Sequence, residues 1–387
     1  MNDKSGDIEK RTVKIFSIAS FLNDLGSDII YPIWPAFLTQ YLKANMTVVG
    51  MIDGLGDAIV SLSQAFAGFL SDKIQKRKIF IWMGYLFGAI SRIGYALSKT
   101  YQPVIVFRIL DRAGKIRSAP RDAAIADVSN DLTRGKNFGI LRSMDNLGAV
   151  TGIILCMILF PLIGYKNLFL LASIPSFIGA SLIFIFYKDV KFQTKIFKGY
   201  SLKLLNKNLK LLFFVSSIFA LGNFSYSFLL IFANQKGFPI YSLPVLYLIF
   251  TFVASLFSFY FGRLSDRIGR KIVLIISFIF WLISLLILIW FQFTAGFIMS
   301  FIFYGLHKAA FEPVHKTYIS ELSPVEMRAS VLGGFQMMMG LFAFPASFVA
   351  GILWDRLNLL APFYLSIILT IFSIILTTRI NEGTDNK

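Results

Sequence analysis

The chain has 387 residues, 56% of them hydrophobic, including 42 Phe, and a mean hydropathy of +0.69. That is more apolar surface than a soluble core of this length can hide, so lipid is the expected surrounding and no soluble domain is expected. The formal net charge of +17 is spread over short loops, an arrangement that argues against nucleic acid as a partner and for orientation in a bilayer.

Uncharged stretches such as Leu211 to Ala233, Tyr241 to Gly262 and Ala329 to Trp354 reach the roughly 20 residues that cross a bilayer core. The hydropathy pattern predicts twelve helical spans, at residues 13–42, 47–70, 78–98, 102–126, 137–163, 165–187, 209–233, 241–262, 272–292, 295–320, 328–353 and 359–378. Residues 1–187 form one six-helix bundle in this reading, 188–210 a basic cytoplasmic linker, and 211–387 a second bundle. With the N-terminus inside, the outer loops hold only Lys43, Lys99, Lys166, Lys236 and Arg356, whereas the inner ones hold most of the remaining lysines and arginines. This asymmetry places both termini in the cytoplasm, and the expected location is a bacterial-type plasma membrane. The first twelve residues are too polar for a signal peptide, and Cys156, the single cysteine, excludes an internal disulfide.

The two bundles are copies of one unit. Gly68-Phe-Leu-Ser-Asp72-Lys-Ile-Gln-Lys76-Arg77-Lys78 returns as Gly262-Arg-Leu-Ser-Asp266-Arg-Ile-Gly-Arg270-Lys271, a displacement of 194 residues. The same displacement pairs Asp127 with Glu321, Ser129 with Ser323, Arg134 with Arg328 and Gly139 with Gly333. Duplicated sets of membrane helices are a common build for secondary transporters, with the site between the halves.

The repeated segment resembles the loop motif of the major facilitator superfamily: glycine, three residues, aspartate, then a basic cluster, between spans 2 and 3 and again between spans 8 and 9. Arg108-Ile-Leu-Asp111-Arg112-Ala-Gly114 is similar to a further pattern of that family in span 4, with Asp111 and Arg112 in place of the usual Gln and Gly. The antiporter pattern of span 5 is represented only by Gly148 and Gly152. The resemblance implies an all-α membrane fold of two pseudo-symmetric bundles that rock about a cavity lined by spans 1, 4, 7 and 10. It implies a monomeric transporter without a cofactor, not an enzyme, that works by alternating access.

An ionisable group at the bilayer centre costs at least ~2.5–3.5 kcal/mol, so those within spans are expected to face a cavity or a partner. Span 1 carries Asp24 and Asp28, span 2 Asp53 and Asp57, span 4 Arg108, Asp111, Arg112 and Lys115, and span 5 Arg142 and Asp145. Each set repeats at three or four residues and so lies along one helix face. Asp24, Asp57, Arg112, Asp145 and the pair His307-Lys308 fall near one depth, the midplane where cargo or a proton would be held. The substrate-binding or proton-coupling candidates are therefore Asp24, Asp28, Tyr31, Asp57, Arg108, Asp111, Arg112, Asn223, Tyr226, His307, Lys308 and Glu312. The competing reading is that Asp53, Asp57, Arg142 and Asp145 neutralise one another as structural pairs, and that Arg121 pairs with Asp122. Two imidazoles and a carboxylate on one helix splay too widely for a metal site, and none is expected.

For gating, the resemblance implies that Asp72 latches onto the eleventh span. Lys76 or Arg77 is then expected to pair with Asp127, and Arg270 or Lys271, beside Asp266, with Glu321. The expected activity is proton-linked movement of a small organic solute, anionic or zwitterionic, with export favoured over import. A proton-coupled importer, a membrane enzyme, a lipid flippase and a non-transporting receptor are the alternatives, since a fold does not by itself fix an activity.

Overall fold

Proline and glycine set the breaks in a chain that is helical almost throughout. The computed structural model describes residues 2–130, 133–189, 207–323 and 328–380, and no strand occurs among them. The helices in chain order are α1 (Asn2–Asp28), α2 (Trp34–Ala36), α3 (Met46–Ile74), α4 (Lys78–Leu97), α5 (Tyr101–Ala113), α6 (Ser118–Val128) and α7 (Arg134–Phe186). They continue as α8 (Lys207–Gly222), α9 (Tyr226–Gln235), α10 (Leu243–Ile268), α11 (Arg270–Trp290), α12 (Thr294–Leu322), α13 (Arg328–Arg356) and α14 (Ala361–Thr378).

Most of the expected linker, residues 190–206, lies outside the described residues. Eight helices among the described residues are long and apolar enough to cross a bilayer. The most hydrophilic of the expected spans, in α1, α5 with α6, and α12, are not among those eight, because charge interrupts their apolar runs. One of the eight is α7, whose 53 residues suffice for two crossings. At Gly164 its backbone takes φ +67° and ψ −177°, a conformation that only glycine adopts cheaply, so two expected spans meet at a single residue.

Three spans are broken where the sequence lacks a helical donor or supplies a cap. α1 stops at Asp28, and Pro32 and Pro35 keep the chain from resuming a long helix before a π turn at Phe37–Tyr41. A 3-10 turn at Gly114–Arg117 separates α5 from α6, and Pro120 lies in the first turn of α6. α8 and α9 are separated by Asn223–Ser225, and Ser225 caps α9 by accepting from the backbone N–H of Ser227 at 3.2 Å.

The chain divides into two compact units: Met1–Ala44 with Leu55–Phe197, and Asn45–Gly54 with Lys198–Lys387. In unit 1, α1 lies so closely against α7 that a Cβ on Gly148 would collide with the Phe21 carbonyl oxygen, and one on Gly152 with that of Leu25. A core of Phe16, Ile81, Tyr85, Ile125, Leu141 and Ile183 joins α1, α4, α6 and α7. In unit 2, Phe261, Val273, Ala309 and Val314 join α10, α11 and α12.

Candidate functional site

The break after α1 brings two aromatic rings over two arginines of α5. The Arg108 guanidinium lies 4.3 Å from the Trp34 ring centroid, and that of Arg112 lies 5.0 Å from the ring of Tyr31. Arg112 Nη1 also donates to the Tyr31 hydroxyl at 3.0 Å. Between them sits Asp111, whose Oδ2 is 3.9 Å from Arg108 Nη1 and 3.8 Å from Arg112 Nε, within ion-pair range but too far for a hydrogen bond. Gly56 of α3 leaves room for both: a Cβ there would sit 3.2 Å from Arg112 Cγ and 3.4 Å from Arg108 Nε. Two guanidiniums thus face one carboxylate across long ion-pair distances.

Earlier on α1, the Asn23 amide donates to Asp24 Oδ1 at 2.9 Å. Asp28 is half-buried at the end of α1, while Asp57 is exposed on the part of α3 that belongs to unit 1. Toward α6 the charges pair off. Arg121 donates to Asp122 at 3.1 Å and to Ser20, and it lies 3.6 Å from Asp145. Arg142 closes the set with contacts of 3.0 Å to Asp122 and 3.2 Å to Asp145. Arg117 turns back onto the Gly114 carbonyl at 3.0 Å and lies over the Tyr85 ring.

Arg92 of α4 is not among the residues that the sequence singles out. It is 2% exposed and donates to the carbonyls of Asn23 (3.2 Å) and Ala172 (3.1 Å) and to the hydroxyls of Ser27 (2.8 Å) and Ser176. Gly26 makes the space, since a Cβ there would collide with Arg92 Nη1. The signal that could have found it is the lone cation in the middle of an apolar span, which must be held by something.

In unit 2, Asn223 sits at the break between α8 and α9, and Tyr226 begins α9 with its ring 5.4 Å from Tyr247 and 6.2 Å from Phe250. His307 is wholly buried among Phe219, Trp281 and Phe311, with Nδ1 donating to the Ser277 carbonyl at 2.8 Å. Its ring is thus part of the helix packing. Lys308 lies over the Tyr304 ring at 5.8 Å, and Glu312 is exposed. His315 is buried against Ser216 at 2.7 Å; because that hydroxyl already donates to Leu212, the imidazole Nε2–H is the donor between them.

Each repeated loop carries one arginine between two acids. Arg77 contacts Asp72 at 3.4 Å and Asp127 at 2.9 Å; Arg270 contacts Asp266 at 2.5 Å and Glu321 at 2.8 Å. The arginines are not repeat mates, for Arg270 stands at the position of Lys76 and Lys271 at that of Arg77. Lys76 is exposed, and Lys271 donates to the Ile380 carbonyl at 3.0 Å. Burial raises the Asp127 carboxyl above its usual range while the Arg77 guanidinium pulls it down. Gln75 and Gly269, which are repeat mates, both take positive φ, +54° and +98°, to make the turn before the basic cluster. Asp189 then accepts from the backbone N–H groups of Arg77 and Lys78, at 3.1 and 2.9 Å, at the start of α4. Residues 324–327, just before the expected eleventh span onto which Asp72 is expected to latch, lie outside the described residues.

A sequence model described as the Major Facilitator Superfamily matches residues 16–256 and 212–386. An uncharacterized MFS-type transporter of Methanocaldococcus jannaschii is 36% identical, over 91% of this chain and 90% of that relative. Citrate exporter 1 of Aspergillus niger is 28% identical over 44% of this chain and 32% of its own length. Among solved structures, that of a mutant form of the nucleoside transporter NupG superposes with a TM-score of 0.78 at 15% identity, covering 95% of this chain and 98% of that one.

Proposed function

We propose that this chain, which belongs to the Major Facilitator Superfamily, moves a small organic anion or zwitterion by alternating access coupled to protons, in the direction of export. It is a multi-pass membrane transporter and not an enzyme. The solute's class, the coupling ion, the direction, the plasma-membrane location and the cytoplasmic termini belong to the proposal.

The observation that carries the solute class is the arginine pair: Arg108 and Arg112 are stacked on Trp34 and Tyr31 and face Asp111 at 3.8–3.9 Å. A carboxylate or phosphate entering between them would replace a long ion pair with short, charge-assisted hydrogen bonds, and the fixed fork of guanidinium suits that geometry. The rings hold each fork in place and supply a face for the organic part. The partial likeness to a citrate exporter supports an anionic cargo and outward movement. Asp24, held by Asn23, is the coupling acid in this reading. It would give up its proton when water reaches α1 from one side and regain it from the other, so that cargo and proton use the same cavity in turn.

A thermal-shift screen of the purified protein over organic acids, amino acids, chelators and drugs tests the class. Anionic hits are expected, and Arg112→Ala should remove the shift while Asp24→Asn should keep it. Hits confined to cationic or neutral compounds would overturn the anionic cargo. Flux of the hits into reconstituted vesicles, with and without a pH gradient, then tests the coupling. Flux that ignores the gradient would remove the proton from the mechanism.

A further inference from the structure

Within unit 1, one glycine of α4 is not accounted for by packing. A Cβ on Gly84 would collide with the Gly114 carbonyl oxygen and one on Gly94 with the Phe107 ring, so both are needed where α4 meets the chain around α5. Gly88 lies between them and is different. A Cβ there would sit 3.6 Å from Asn23 Oδ1 and 3.9 Å from both Arg92 Nη2 and Asp111 Oδ1, all ordinary van der Waals distances. The glycine therefore leaves a space the size of a methyl group, bordered by polar atoms of α1, α4 and α5.

Asp111 stands between two sets of cations. Its Oδ2 is the oxygen at 3.8–3.9 Å from Arg108 and Arg112, and its Oδ1 is the one on the Gly88 side, where Arg92 lies. Arg92, one turn along α4 from Gly88, is a fixed charge. Its bonds go to the Asn23 and Ala172 carbonyls and to the Ser27 and Ser176 hydroxyls, all neutral, so its hydrogen bonding is met and its charge is not. Of the acids around it, Asp111 acts on it most strongly, ahead of Asp24. A cation buried within a span is stabilised by an opposite charge brought close to it.

We propose that Asp111 is a movable stand-in for the cargo's own anionic group, and that the space at Gly88, beside Arg92, receives it when cargo takes its place between Arg108 and Arg112. This role rests on the anionic-cargo reading. An anion that arrives at the two arginines meets a carboxylate already there, and like charges at that distance repel. A carboxylate displaced among packed helices without a partner would oppose binding, because an unpaired charge within a span is costly. A turn about the Cα–Cβ bond of Asp111 brings it to the Gly88 space instead, where the Arg92 guanidinium faces it. The exchange needs one side chain to turn and no helix to move. It also selects the cargo: a carboxylate or phosphate can replace Asp111 on the two guanidiniums, whereas a neutral or cationic solute cannot.

The test is calorimetric titration of the purified full chain in detergent with two probes, succinate and inorganic phosphate, in a double-mutant cycle between Gly88 and Asp111. Asp111→Asn removes the competitor and should tighten binding by at least about tenfold. Gly88→Ala fills the space at ordinary contact distances, so thermal unfolding should stay as it is while binding weakens by at least about tenfold. In the Asp111→Asn background the same Gly88→Ala change should move the affinity by less than about twofold, because no charge then has to enter the space. Arg92→Gln should repeat the pattern of Gly88→Ala, which keeps the test decisive should the arginine variant unfold. Equal weakening by Gly88→Ala in both backgrounds, or none in either, would overturn the receiving space and leave the anionic cargo standing. Weaker binding by Asp111→Asn would make Asp111 a cargo ligand and overturn its part as a stand-in. Binding of neither probe, even to Asp111→Asn, where two arginines stand without their carboxylate, would remove the anionic cargo itself.

Discussion

Unit 1 and unit 2 are built from duplicated sequence, yet they bury different chemistry. Among the described residues, unit 1 buries Arg77, Arg92, Arg108, Arg117 and Arg121, whereas the buried titratable groups of unit 2 include His307, His315 and the Asp53 of its borrowed segment. A guanidinium stays charged wherever it is placed, so each one demands carbonyls, hydroxyls, carboxylates or rings around it. An imidazole can be neutral and pack like an aromatic residue, as His307 does among Phe219, Trp281 and Phe311. Duplication kept the helices, and the buried cations were concentrated in one half.

The sharpest way to break this contrast is to remove one buried group from each half. Arg92→Met takes the charged donor away from the carbonyls and hydroxyls that it now serves and should cost about 3 kcal/mol, read as a large fall in thermal unfolding temperature in detergent. His307→Phe gives up one hydrogen bond and keeps the packing, at about 1 kcal/mol. Equal losses would mean that the two halves do not differ as described.

The repeated loops sharpen the comparison at smaller scale. The Arg77 side chain is 4% exposed and that of Arg270 is 15%, with Arg270's partners at 60% and 49%. Arg77→Ala should therefore cost about 3 kcal/mol, and Arg270→Ala no more than about 1 kcal/mol, because solvent screens the second set. The turn residues run the other way. Gln75 holds a left-handed conformation that suits glycine, so Gln75→Gly should stabilise by up to about 1 kcal/mol, while Gly269→Gln should destabilise by about 1–3 kcal/mol. Thermal unfolding of the four variants side by side checks the ordering.

The smallest expected effect is near the start of α1. Hydrogen bonds from Thr133 and Asn137 hold the Glu9 carboxyl below its ordinary range. A carboxyl whose folded value is depressed contributes its stabilisation above the unfolded value and loses it as pH falls through the folded one. Amide exchange in the first turn of α7 should therefore speed up below the ordinary Glu range of about pH 4, and Glu9→Gln should remove that step.

Much of this organisation can be read without coordinates, for identifiable reasons. Span-length apolar runs such as Tyr241 to Gly262 declare helices in lipid, and the return of Gly68 to Lys78 at Gly262 to Lys271 declares the duplication. The pairing of Arg77 with Asp127 and of Arg270 with Glu321 is among the alternatives that the sequence offers, because the two acids recur at the displacement that relates the two basic clusters. Which basic residue of each cluster turns inward is not legible there. A one-residue shift along a loop rotates a side chain from protein to solvent, and Gln75 and Gly269 set that rotation differently.

Arg92 and the division of α3 are not legible either. Arg92 has its hydroxyl partners on α1 and α7, at separations of 65 and 84 residues. Hydropathy is a property of neighbours in sequence, so it determines by itself that the chain passes repeatedly through lipid, and the returning loop motif shows that its two halves are related. Which charge meets which partner, and which unit claims the first turns of α3, depends on the faces that distant helices turn toward each other; only the packed structure decides that, because a hydrogen bond is made or lost within an ångström.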